Sequence, residues 1–163
     1  AMRVSPVGFA FNTREEVLNE ARKTAEVSHN HPEGIKGAQA VALGIFLAKH
    51  GYSKQQIREE LEAEFDYDLS RTLHEIRPEY QFEISCQRSV PESVIAFLES
   101  DDYIGAIRNA VSLGGDSDTM ACIAGALAQA FYRDIPRAVC EEVFARIPEA
   151  FKKVVIVFEE HYL

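Results

Sequence analysis

The stretch Gly114-Gly115-Asp116-Ser117-Asp118-Thr119 is followed by a largely apolar run from Met120 to Tyr132. Two adjacent glycines indicate a tight turn, because glycine tolerates backbone angles that other residues avoid. The apolar run is rich in alanine and has the composition of a buried helix. The sequence therefore predicts a sharp turn that opens a buried helix from about Ser117 to Tyr132.

Similar signals predict helices along nearly the whole chain. A second buried helix is expected from about Glu33 to His50, because it is apolar on nearly all sides, and Gly51 provides a C-terminal stop. The other predicted helices run from Thr13 to Ser28, Ser53 to Phe65, Leu69 to Ile76, Ser89 to Glu99 and Asp101 to Leu113, with shorter ones beginning at Pro136 and Pro148.

The segment from Asp66 to Arg88 is the hardest to interpret, and apart from its short helix it is expected to be irregular. The β-branched run from Val154 to Phe158 could form a strand, but we favour a helix there. No alternating strand pattern, internal repeat or flexible linker occurs. These observations predict one all-α domain over residues 1–163.

Composition excludes several classes of function. The formal net charge of −9 disfavours binding to nucleic acid, and no apolar run is long enough to span a membrane. No secretory signal is visible, so we expect a cytoplasmic protein. The three cysteines show no zinc-binding spacing, and Cys122 and Cys140 are interpreted as small core residues in a reducing compartment.

Asp116, Asp118 and Thr119 are the candidate metal ligands. Their oxygen atoms project from one tight bend, and Mg²⁺ prefers oxygen ligands in a rigid arrangement. The alternative is purely structural, because an aspartate at a helix start satisfies free backbone N–H groups and suits the helix dipole. From spacing alone the structural cap is the simpler interpretation.

His29 and His31 lie in a predicted break between two helices, just before Pro32. Two imidazoles could bind zinc or copper, but no third His or Cys is placed to join them, and imidazole is a poor ligand for magnesium. A helix cap is the simpler interpretation of this pair. A polar contact to a phosphate or a ribose is the functional alternative.

Three blocks of the chain, taken in order, resemble the ADP-ribosylglycohydrolases. The first is Ala1-Met2-Arg3-Val4-Ser5-Pro6, which resembles the stretch after the Gly-Asn-Gly loop of that family. The second is Ser28-His29-Asn30-His31-Pro32-Glu33, with Gly37-Ala38 beyond it. The third is the Gly-Gly-Asp-Ser-Asp-Thr turn with the alanine-rich helix that follows.

The resemblance implies a compact, orthogonal bundle of helices and a pair of magnesium ions. It implies that Asp116, Asp118 and Thr119 are metal ligands and that His29 lies near bound ADP-ribose. It also places Met2, Arg3 and Gly115 at the substrate. The implied activity is the removal of ADP-ribose from modified side chains or related compounds.

The chain also departs from the family pattern, because the Gly-Asp helix and the Thr-Asp-Asp block of the N-terminal portion are missing. Those elements supply the other metal ligands and the catalytic acid, so no catalytic residue is assigned here. We expect the isolated chain to be inactive, whether it is a fragment or a naturally short gene product. The alternative is a non-catalytic ADP-ribose-binding or structural module. We also expect apolar surface left bare on the two buried helices to favour self-association or pairing with an N-terminal portion.

Overall fold

Ten helices and no strand make up the protein, and the computed structural model describes residues 1–163. The prediction of an all-α fold is confirmed. No helix combines the length and the apolar character that a membrane span requires. The helices are α1 (Ser5–Ala10), α2 (Arg14–Glu26), α3 (Pro32–Lys49), α4 (Lys54–Phe65), α5 (Leu73–Ile76), α6 (Cys86–Leu98), α7 (Tyr103–Ser112), α8 (Ser117–Tyr132), α9 (Arg137–Arg146) and α10 (Glu149–Tyr162).

Helices α3 and α8 form the centre of the core. Helices α1, α2, α4 and α6 pack against α3, while α6 and α7 pack against α8, and α3 and α8 contact each other. Small residues let the two central helices approach closely: a Cβ on Gly44 would lie 2.8 Å from Cδ2 of Leu127. The two runs predicted to be buried are therefore the two helices around which the others assemble.

Several helices begin where their capping residues predict. Thr13, Ser53 and Thr72 each form a reciprocal capping box with the residue three positions later. Asp102 caps α7 by accepting a hydrogen bond of 2.6 Å from the amide of Gly105. These side chains satisfy amides that have no partner inside their helix.

Three helices differ from the prediction, and the shortest of them, α5, begins at Leu73 and not at Leu69. Helix α1 was not predicted, because six residues are too few to show a helical period; it forms because Val7 and Phe9 are buried against α3. Helix α6 begins at Cys86 and not at Ser89, so Pro91 lies inside the helix. The proline removes one helical N–H, but every residue from 89 to 98 is buried, and this packing stabilises the helix.

The expected bare apolar surface on α3 and α8 is absent, because none of the exposed large apolar side chains belongs to either helix. The exposed apolar residues concentrate instead on α9 and α10, neither of which contains a buried residue. The assignment of Cys122 to the core is also wrong. Cys122 is exposed, because the buried face of α8 is formed by Met120, Ile123 and Ala124.

Substituting Gly8 should destabilise the protein, because α1 lies against the backbone of α3 at this point. In Gly8→Ala the new Cβ would lie 2.7 Å from the carbonyl oxygen of Ala42 and 2.7 Å from Cβ of Ile45. We expect a loss of about 1–3 kcal/mol in the free energy of unfolding, measured by urea titration with circular dichroism. Gly44→Ala is the matched control: its nearest neighbour is the end of a flexible leucine side chain, so it should cost less. The reverse order would contradict this account of helix packing.

Candidate functional site

The acidic turn, which comprises residues 114–119, does not behave as an ordinary helix cap. Asp116 occupies the N-cap position of α8, but its side chain accepts no hydrogen bond from the first turn of the helix. Asp118 Oδ1 accepts a hydrogen bond of 2.8 Å from the amide of its neighbour Thr119. The structural alternative for Asp116 is therefore not supported, and its carboxylate is available to another partner.

Asp116 and Asp118 lie side by side without a cationic partner. A hydrogen bond with the Asp116 carboxyl group, followed by the bond from the Thr119 amide, lowers the pKa of Asp118. No lysine, arginine or histidine forms an ion pair with either aspartate, although nine such pairs occur elsewhere in the chain. Two adjacent carboxyl groups without a counter-charge form a local site of negative potential.

Thr119 joins this turn to the N-terminal segment. Its hydroxyl group donates to Sδ of Met2 over 3.4 Å, and one turn further along α8 the thiol of Cys122 donates to the carbonyl oxygen of Met2 over 3.3 Å. The oxygen lone pairs of Thr119 are left free, because the hydroxyl acts as the donor. Partial desolvation of the thiol raises the pKa of Cys122. The N-terminal ammonium group opposes this and nearby Asp118 adds to it, so an activated thiolate is disfavoured here.

Arg3, the next residue of the N-terminal segment, connects the acidic turn to the histidine break, the stretch between α2 and α3 that contains His29 and His31. Arg3 Nη2 donates to Oγ of Ser28 over 2.8 Å, and that oxygen lies 2.9 Å from Nδ1 of His29. Because Oγ accepts from the arginine, its own proton can be donated to Nδ1. A neutral His29 ring then carries its proton on Nε2 and presents that N–H as a donor.

The two histidines have different environments. His31 caps α3, since its Nδ1 accepts a hydrogen bond of 3.2 Å from the amide of Glu33, and this confirms the structural interpretation for that residue. His29 has no capping role. A Cβ on Gly34 would lie only 2.9 Å from the carbonyl oxygen of His29, so a glycine at this position lets the break lie close against α3.

Tyr80 covers the glycine before the acidic pair, a feature that the sequence did not reveal. A Cβ on Gly115 would overlap the ring at Cε1, so the ring lies directly against the backbone of the turn. Burial raises the pKa of Tyr80 to about 12, with smaller contributions from Glu92, Glu83 and Asp116. Tyr80 lies in the segment expected to be irregular, where no periodic pattern points to its position.

The structure joins six of the seven predicted site residues through hydrogen bonds and the bond between Met2 and Arg3. The Thr119 hydroxyl donates to Met2 and its amide donates to Asp118, while Arg3 reaches His29 through Ser28. Asp116 contacts Asp118, and Gly115 precedes it beneath Tyr80. Segments that are distant in sequence therefore form one continuous surface at the N-terminal end of α8.

This surface brings together the three blocks on which the resemblance rests, and a family model described as ADP-ribosylglycohydrolase matches residues 1–162. The chain belongs to the ADP-ribosylglycohydrolase family. The fold and the order of the three blocks agree with this assignment.

Individual ADP-ribosylglycohydrolases show the same similarity. ADP-ribosylhydrolase ARH3 of Bos taurus is 29% identical over 177 residues, an alignment that covers 81% of this chain and 48% of the relative. The protein of the same name from Homo sapiens is 30% identical, with 81% and 49% covered. An uncharacterized protein of Archaeoglobus fulgidus is 30% identical, with 78% and 47% covered. The chain therefore spans about half the length of the curated relatives it matches.

Placing a side chain at Gly115 should displace Tyr80. In Gly115→Ala the new Cβ and the rigid aromatic ring cannot occupy the same space, so the ring must move into solvent and its pKa must fall from about 12 towards the ordinary value near 10. Absorbance at 295 nm between pH 9 and pH 11 should show additional tyrosine ionisation in the variant. The added signal should be absent from the double variant that also carries Tyr80→Phe. If the two titration curves are identical, Tyr80 does not cover the turn.

Proposed function

We propose that this chain forms part of a Mg²⁺-dependent ADP-ribosyl hydrolase, with the acidic turn as one side of its metal site. The observation that carries the proposal is the pair Asp116 and Asp118, two adjacent carboxyl groups with no cationic partner. A cation that binds both would supply the counter-charge that no side chain of the chain provides. Membership of the family supports the same interpretation.

The residues present suit magnesium. Carboxylate and hydroxyl oxygens are hard ligands, and the three candidates Asp116, Asp118 and Thr119 come from four consecutive positions at the start of a packed helix. The Thr119 hydroxyl donates to Met2, which leaves its lone pairs directed elsewhere. When bound, magnesium would hold the ribose hydroxyl groups and polarise them as a Lewis acid.

The neighbouring polar groups suit the rest of ADP-ribose. Arg3 uses one nitrogen for Ser28 and keeps further N–H donors for a diphosphate, a ligand that arginine binds well. His29 offers Nε2–H to a phosphate or a ribose oxygen. Met2 lies against Thr119, and Gly115 forms the backbone of the turn beneath Tyr80. We propose that these four residues position the substrate.

The site in this chain is incomplete. Among residues 1–163, no group of three or more His, Cys, Asp or Glu side chains converges on one point. We propose that the remaining metal ligands and the catalytic acid come from a portion of the protein outside these residues, as the resemblance implies. The exposed apolar side chains of α9 and α10 support association with that portion or with a second copy. Three free cysteines support a cytoplasmic location.

The isolated chain should therefore show little or no hydrolase activity. The test is to incubate it with Mg²⁺ and an ADP-ribosylated peptide and to measure released ADP-ribose. Turnover is expected only when the missing N-terminal portion is present in the same protein. Robust release by residues 1–163 alone would mean that the catalytic groups lie within this chain. No release by the longer protein, with ADP-ribose binding intact, would favour a non-catalytic module.

Magnesium should stabilise the chain through the acidic turn. At a concentration ten times its Kd, a ligand that binds only the folded state adds about 1.4 kcal/mol, which is measurable as a rise in Tm. Asp116→Asn and Asp118→Asn should each abolish this rise. Asp134→Asn, an exposed aspartate at the other end of α8, is the matched control and should keep the full response. An equal response in all four proteins would refute the metal site.

A further inference from the structure

A polar cavity of about 370 Å³ lies beside the acidic turn, between α5 and α6. Arg71, Glu79, Tyr80, Arg88 and Glu92 form most of its wall. Tyr80 connects the cavity to the turn, since this residue lines the cavity and its ring also lies against Gly115. None of the residues assigned to the metal or to ADP-ribose lines this cavity.

Glu92 is the feature that marks the cavity as a binding site. Only 4% of this residue is exposed, and its Oε1 accepts from Arg71 Nη2 at 3.0 Å. Its other oxygen, Oε2, is buried and has no hydrogen-bond partner. Because Arg71 and Glu92 both line the cavity, the carboxylate end of the glutamate faces it. A buried carboxylate oxygen without a donor is unfavourable, so a ligand that donates to it would be stabilised.

The charges of the wall indicate a ligand with one positive charge. Three carboxylates, from Glu75, Glu79 and Glu92, face two guanidinium groups, from Arg71 and Arg88, which leaves a net charge of −1. Glu79 and Arg88 are both exposed, and neither forms an ion pair. A single cationic group near Glu92 would bring the cavity to neutrality.

The geometry of Glu92 selects between the two common cations of proteins. A guanidinium group binds a carboxylate best through two parallel hydrogen bonds, one to each oxygen. Arg71 already occupies Oε1, so this arrangement is closed to a second guanidinium. An ammonium group is a compact point charge with three donors and needs only one free oxygen. The available oxygen therefore suits an ammonium group better.

We propose that the cavity beside Tyr80 is a subsite for a primary ammonium group, held by Oε2 of Glu92. Such a group is the end of a lysine side chain or of a free alkylamine. The two sources share the same chemistry at Glu92 and differ in what extends from the mouth of the cavity, where Arg88 and Glu79 lie. The proposal concerns residues 1–163 by themselves and does not depend on magnesium, ADP-ribose or hydrolysis.

The test is an NMR titration of the ¹⁵N-labelled chain with butylamine, butylguanidine and butanol at neutral pH. Butylamine should produce saturable shifts at the amides of Arg71, Tyr80 and Glu92. Butylguanidine should have a Kd at least about tenfold higher than that of butylamine, because it loses one charge-assisted hydrogen bond. Butanol, which has no charge, should not bind. Tighter binding of an Nα-acetyl-lysine amide than of butylamine would identify a peptide as the source, and tighter binding of 1,5-diaminopentane would identify a free amine.

Two variants and a control make the result specific. Glu92→Gln keeps the shape and an acceptor for Arg71 but removes the charge, so the butylamine shifts should be lost. Glu92→Asp keeps the charge but retracts the oxygen, so binding should weaken. Glu59→Gln, which changes an exposed glutamate on α4 that contacts only Gln55, should bind as the parent does. If circular dichroism shows that a Glu92 variant does not fold, the parent protein alone provides the test. Shifts confined to the residues around the cavity then support the proposal. Shifts spread over the acidic surface, equal binding of amine and guanidine, or no saturable binding would overturn the proposal.

Discussion

Burial of one face of α8 holds the acidic turn in position. Met120, Ile123 and Leu127 are fully buried against the neighbouring helices, and so the opposite face must carry Asp118 and Cys122. This division is enforced by the hydrophobic effect, because rotating the helix would expose the apolar side chains to water. The ligand candidates therefore need no stabilisation of their own. Their positions follow from the packing of α8, which keeps the two carboxyl groups adjacent at the start of the helix.

The sequence predicted the helices whose signals are local. Long apolar runs fixed α3 and α8, and reciprocal capping residues fixed the starts of α2 and α4, because each of these features acts over a few neighbouring residues. Helix α1 and the first turn of α6 were missed for the opposite reason. Both are stabilised by burial against distant helices, and Pro91 gave a misleading local signal within α6. Cys122 was misplaced because composition does not reveal which face of a helix is buried.

In the candidate site, too, local features could be predicted and long-range contacts could not. The acidic turn, the histidine break and the N-terminal segment were recognisable one by one, and the resemblance supplied their relation. The contacts that join them, from Thr119 to Met2 and from Arg3 to Ser28, connect residues that are far apart in sequence and leave no periodic pattern. Tyr80 gave no signal at all, and Glu92 gave only the signal of a helix start. A buried glutamate in α6 is indistinguishable from a solvent-facing one until the helix is placed.

The surroundings of the turn indicate how the chain keeps its charges apart. Arg71 forms an ion pair with the buried carboxylate of Glu92, while no basic side chain pairs with Asp116 or Asp118. A lysine or arginine beside the aspartates would satisfy them permanently and would compete with any cation from solution. Tyr80 lies between these two acidic environments, and a phenol is neutral at physiological pH, so it adds no further negative charge to either. The ring therefore acts as an uncharged wall between the turn and the cavity.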